Sequence, residues 1–139
     1  MKNIAMMFLF IFLFFACERS SPVDDIDRIK GDYKAIVFEE PGQLDGGVDI
    51  LANGGSLTAR LFQNFHVEGY ILIPEDIGSN YAPIDTTYMG TFILAGDSIQ
   101  FKNTSTPLDH LSPFFIKGSL LVSKDRRGRG PGFMILEKQ

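Results

Sequence analysis

From residue 31 onward, apolar and polar positions alternate with a period of two in short runs, and Gly, Asn, Asp or Pro punctuates them. No window of helical length carries a clean 3.6-residue period. Alternation of this kind puts successive side chains on opposite faces of a strand, so the pattern predicts an all-β sandwich or barrel. Eight strands are expected, over residues 32–39, 48–51, 57–62, 65–73, 87–94, 98–102, 114–122 and 133–138. In the first, Tyr33, Ala35 and Val37 share a face and Lys34 takes the other. Leu57, Ala59 and Leu61 oppose Thr58 and Arg60. Phe65, Val67, Gly69, Ile71 and Ile73 oppose His66, Glu68 and Tyr70. Tyr88, Gly90, Phe92 and Leu94 form one inner set, and Ile99 with Phe101 another. The charged positions decide which face is turned to solvent.

The connections favour antiparallel neighbours. Ala52-Asn53-Gly54-Gly55 is a hairpin signal, because Asn and Gly accept the positive φ of a tight turn. Gln63-Asn64 and Ala95-Gly96-Asp97 are further turn signals, and residues 127–132, rich in Gly with one Pro, join the last two strands. Two connections are longer, residues 74–86 and 103–113, and neither carries helical patterning. Short links make sequential strands pair side by side. Eight such strands close into a single antiparallel up-and-down β-barrel without exposed edges, with room inside for side chains or one small ligand.

The N-terminus is of a different kind. Lys2 precedes an apolar run from Ile4 to Ala16, thirteen residues that end at Cys17, the only cysteine of the chain. As a helix this run spans about 20 Å, against roughly 30 Å of hydrocarbon in a bilayer. The layout is that of a secretory signal. It resembles the signal peptides of bacterial lipoproteins, in which a small residue (here Ala16) precedes a cysteine that becomes the acylated first residue. Phe14 stands where such signals commonly carry Leu. The resemblance implies lipidation of Cys17 and partnership with membrane lipid; the plain alternative is a small residue near an ordinary cleavage site. The implied location is the cell envelope, lipid-anchored and in the outer membrane, facing the periplasm or the surface.

The resulting division is a signal peptide over residues 1–16, the lipidated Cys17 with a flexible tether over 17–30, and a barrel domain over 31–139. The tether is polar, contains Pro22 and an acidic cluster of Asp24, Asp25 and Asp27, and shows no sustained period. The cluster reads either as a solvated linker or as a sorting signal. Residues 17–139 carry twelve Lys and Arg against seventeen Asp and Glu, a formal charge of −5, which argues against nucleic acid as a partner. They form one ordinary domain, long enough for a core without staples, and a lone cysteine closes no internal disulfide.

A second resemblance rests on residues spread through the domain. Ile29-Lys30-Gly31-Asp32-Tyr33-Lys34 looks like the Gly-x-Trp opening of lipocalin-like domains, with Tyr33 in the aromatic position. Phe65-His66-Val67-Glu68-Gly69-Tyr70-Ile71, the hairpin from Gly90 through Gly96-Asp97 to Phe101, and Phe133 to Lys138 resemble the middle and closing strands of short bacterial versions. The resemblance covers Ile29 to Lys138. It implies a small lipocalin-like barrel in which a small apolar ligand binds without catalysis, with candidate lining residues Tyr33, Val37, Leu61, Val67, Ile71, Phe92 and Phe101.

Candidate chemistry is sparse. His66 and His110 have no metal-ligand partner at the usual spacing, and no metal or other cofactor is expected. The carboxylates are scattered, and no nucleophile elbow, phosphate loop or His-Glu-x-x-His is present, so no catalytic residue is assigned. Lys124 to Arg129 is the densest basic stretch, either a solvated hairpin tip or a contact for anionic lipid or polysaccharide. Pro113, Phe114 and Phe115 read as core, with the alternative that they wall a barrel mouth together with Tyr81 and Pro83. Two functions remain open: a carrier of a small apolar ligand, or an envelope structural or protein-interaction lipoprotein, such as a hydrolase inhibitor, whose barrel is filled.

Overall fold

The computed structural model describes residues 22–40, 47–124 and 132–139. The signal segment 1–16, Cys17 with residues 18–21 of the tether, and residues 125–129 of the basic stretch lie outside the described residues. In chain order the elements are α1 (Pro22–Ile29), β1 (Gly31–Glu40), β2 (Val48–Asp49), β3 (Ser56–Leu61), β4 (His66–Ile73), β5 (Ile84–Ala95), β6 (Ser98–Lys102), α2 (Pro107–Leu111), β7 (Phe114–Lys117), β8 (Leu120–Ser123) and β9 (Phe133–Lys138). All pairings are antiparallel, and the sheet runs β2-β1-β3-β4-β5-β6-β7-β8-β9 with β1 also paired to β9. Eight strands, β1 and β3 to β9, therefore close into an up-and-down barrel of lipocalin-like architecture.

Four features depart from the sequence expectation. The second expected strand shrinks to the two residues of β2, which pair with Glu39 and Glu40 beyond the barrel wall, so β1 meets β3 directly. The run 114–122 is two strands rather than one. Gly118, at φ 62°, takes the first central position of a two-residue turn, and the chain folds back so that Phe115 faces Val122. Residues 103–113 contain α2, capped by Thr106, whose side chain accepts from the Leu108 N–H at 3.3 Å. Finally, the part of the expected tether from Pro22 to Ile29 is the helix α1.

A bulge in β1 corrects the inner face of that strand. The register shifts between Ala35 and Val37, and the buried positions change from Tyr33 and Ala35 to Phe38 and Glu40. An extra residue on one strand of a pair reverses the alternation beyond it.

The two barrel ends are closed differently. At one end β1 begins, β3, β5, β7 and β9 finish, and α1 lies across the opening. Ile26 and Ile29, one helical turn apart, are buried in the core. The Tyr33 hydroxyl donates to the Ile29 carbonyl at 2.7 Å, the Lys138 ammonium to the Arg28 carbonyl at 3.0 Å, and Arg28 pairs with Asp97 at 3.2 Å. The other end is the mouth. There Pro107, Leu108 and Leu111 of α2 are buried, and Ile77 and Tyr81 of the loop after β4 pack on the core.

Candidate functional site

The seven residues expected to line a ligand pocket separate into six and one. Tyr33, Leu61, Val67, Ile71, Phe92 and Phe101 point inward, and each retains between 0 and 3 % of its surface. Val37 does not join them: the β1 bulge leaves it half-buried, and Phe38 is buried in its place. The six belong to one core cluster that also holds Phe38, Ile99, Phe114, Leu121, Met134 and Leu136. Phe92, Phe101 and Phe114 form a chain of edge-on rings, with centroids 6.4 and 5.3 Å apart. Such contacts are favourable beyond the area they bury.

These exposures decide what the interior holds. A side chain that faces a ligand-sized void keeps surface that a water molecule can reach. Six of the expected lining residues keep almost none, because they touch one another and their neighbours. Side chains, not a vacant pocket, occupy this part of the barrel.

The mouth carries a buried carboxylate. Glu40 is 2 % exposed, at the end of β1. It accepts from the Ser79 hydroxyl and from the backbone N–H groups of Asn80 and Tyr81, so it holds the loop after β4 against the barrel. Burial raises the Glu40 pKa above the ordinary carboxylate value, and the three donors partly oppose that shift. Tyr81 stacks at a tilt beside Phe38, ring centroids 6.5 Å apart; its own burial, with the nearby Glu40 charge, pushes its pKa up to about 12. Tyr81 and Phe114 thus belong to the packed mouth. Phe115 faces outward and is 42 % exposed, which corrects its reading as core.

Outside the barrel, Phe115, Val122, Ile135 and Val37 are register partners across β7, β8, β9 and β1. Ile36, beside Val37, is 45 % exposed. The same wall elsewhere is charged: Arg60 donates to Asp32 at 2.5 Å, which holds the Asp32 carboxyl below its usual range. That ion pair lies in an open cleft of about 300 Å³ with Lys34, Thr58, Glu68 and Gln139. His66 lies exposed on β4, and His110 lies exposed in α2. Among the described residues, no group of three His, Cys, Asp or Glu converges on a metal position.

Comparison with protein-family models, with curated proteins and with solved structures finds no match to this chain. The fold defines the class, a small closed antiparallel barrel, and the functional reading rests on the geometry above and on the N-terminal sequence.

Proposed function

We propose that this chain is an exported lipoprotein, anchored in the cell envelope through acylated Cys17, whose filled barrel acts by its outer surface and performs no catalysis. The observation that carries the choice against a carrier is the closure of Tyr33, Leu61, Val67, Ile71, Phe92 and Phe101 to within 3 % of complete burial. A small-molecule site needs a hollow of several hundred Å³, and these side chains would have to part to make one. The apolar row from Phe115 to Val37 on the outer wall agrees with a surface that meets another envelope protein. The anchor and the location rest on the segment from Lys2 to Cys17.

Native mass spectrometry of the protein purified from its own envelope tests the proposal. The expected species is the polypeptide from Cys17 to Gln139 plus covalent acyl mass and nothing else. A reproducible further mass that organic extraction removes would return the carrier reading. An unacylated Cys17 would remove the anchor.

A further inference from the structure

The position of α1 turns the anchor into an orientation, and this step rests on the acylation of Cys17 proposed above. Cys17 stands five positions before Pro22, the first residue of α1. Five fully extended residues reach at most about 18 Å. The helix itself is about 12 Å long at 1.5 Å per residue. It is pinned across one barrel end by buried Ile26 and Ile29, by the Arg28–Asp97 pair and by the Tyr33 and Lys138 hydrogen bonds. From that end β1 runs ten residues to the mouth, about 30 Å of strand at roughly 3.3 Å per residue. The acyl chains can therefore reach a bilayer only on the α1 side, unless the barrel lies flat against it.

A second observation at the same end agrees with the upright arrangement. Phe65 occupies the turn between β3 and β4, with φ 63°, and remains 39 % exposed. Its backbone is held firmly: its N–H donates to the Phe62 carbonyl at 3.1 Å, and its carbonyl accepts from the Phe92 N–H at 2.9 Å. Its ring rests 5.6 Å from that of Phe92, with the outer part left to the surroundings. A large apolar side chain fixed at a turn tip is out of place in water but matches the headgroup level of a bilayer. At this end Arg28 pairs with Asp97, and Lys30 with Asp27 at 2.6 Å.

We infer that the α1-capped end of the barrel, led by Phe65, is a lipid-facing surface, and that the mouth, with Glu40 and α2, points away from the membrane. Fluorescence quenching on the full lipoprotein tests this. The chain is expressed with its signal segment, and the mature protein is reconstituted in phosphatidylethanolamine–phosphatidylglycerol vesicles. It carries a fluorophore at Gln63→Cys in the β3–β4 turn or at Ala52→Cys beside the mouth; both positions are exposed. Headgroup-nitroxide lipids are expected to quench the label at position 63 and to leave that at 52 unchanged. Equal quenching at both, or stronger quenching at 52, overturns the orientation. The intact mass of the same samples separates the two claims: acylated protein with the wrong quenching pattern sinks the orientation alone, whereas unacylated protein sinks the anchor and the orientation together.

Discussion

The Tyr88 hydroxyl donates to the backbone carbonyl of Thr58 at 2.7 Å, reaching from β5 to β3 across the strand between them. It can do so because Gly69 of β4 stands between, register partner of both Ala59 and Tyr88. A Cβ at Gly69 would lie 2.6 Å from the Tyr88 hydroxyl and would collide with the Thr58 carbonyl. Three adjacent strands are tied at one point, where β4 has no side chain and an aromatic ring covers its inner face. Burial pushes the Tyr88 pKa well above its ordinary value, so the hydroxyl stays a donor throughout the range in which the protein is handled.

Tyr88→Phe should therefore destabilise the barrel by about 1–2 kcal/mol, the range for a buried carbonyl that loses its partner. Gly69→Ala should cost more, about 2–3 kcal/mol, because backbone must move to admit the methyl group. Urea unfolding of the two variants and the double variant checks this. The double should cost less than the sum, since both changes disturb the same contact. Strict additivity would mean that the two residues are independent.

Glu40 predicts a pH dependence. Its folded-state pKa lies above the ordinary value near 4.5 because the carboxylate is buried. The folded chain then holds the proton more tightly than the unfolded chain does. The stability supplied by protonation is complete below the ordinary value and is lost as pH rises through the folded value. Glu40→Gln keeps an oxygen acceptor for Ser79, Asn80 and Tyr81 and removes the titration. The stability of the native protein relative to Glu40→Gln should fall from pH 4 to neutral pH; parallel curves would show that Glu40 titrates normally.

The helix α1 should behave as part of the barrel. Ile29, 1 % exposed, sits beneath the Tyr33 hydroxyl bond, and Ile29→Ala should cost about 2–5 kcal/mol. A chain beginning at Gly31 should lose stability to at least the same extent. Thermal unfolding of both variants against the chain from Glu18 measures it, and unchanged midpoints would return residues 22–29 to the status of a tether.

Phe101→Ala should open a void at the centre of the ring chain. The expected loss is about 3–5 kcal/mol. A dry cavity of that kind accepts small aromatic molecules, so added benzene should raise the melting temperature of the variant and leave that of the native protein unchanged. Stabilisation of the native protein by benzene would contradict the filled interior.

Several features were legible in the chain. The alternation of Leu57, Ala59 and Leu61 with Thr58 and Arg60 marked β3, and that of Val67 and Ile71 with Glu68 and Tyr70 marked β4, because charge and polarity alone choose the face. Six of the seven interior residues followed from the same rule. Others left weaker marks. Gly118-Ser119 is a known hairpin pair, yet it sat inside a run with continuous strand composition. Ser21-Pro22 with Asp24 and Asp25 is a helix-start signal, and Thr106-Pro107 with Asp109 is another, but each helix is too short for its period to register. Val37 failed for a different reason: nothing in Ala35-Ile36-Val37-Phe38 marks a bulge, since four apolar residues in a row suit either phase.

By itself the sequence determined most of the strand-forming segments, the turn at Gly96 and the apolar set available for a core, because these depend on local propensity and on a period of two, whereas the hairpin expected at Asn53-Gly54 does not form, β2 pairing with β1 instead of β3. Tertiary structure alone decided where the alternation reverses in β1, that Ile26 and Ile29 close one end of the barrel, and that Glu40 is buried under Ser79 and Tyr81. It also decided that the inner side chains meet. Whether a barrel is hollow or filled depends on how side chains from opposite walls reach across it, and no pattern along a single strand carries that distance.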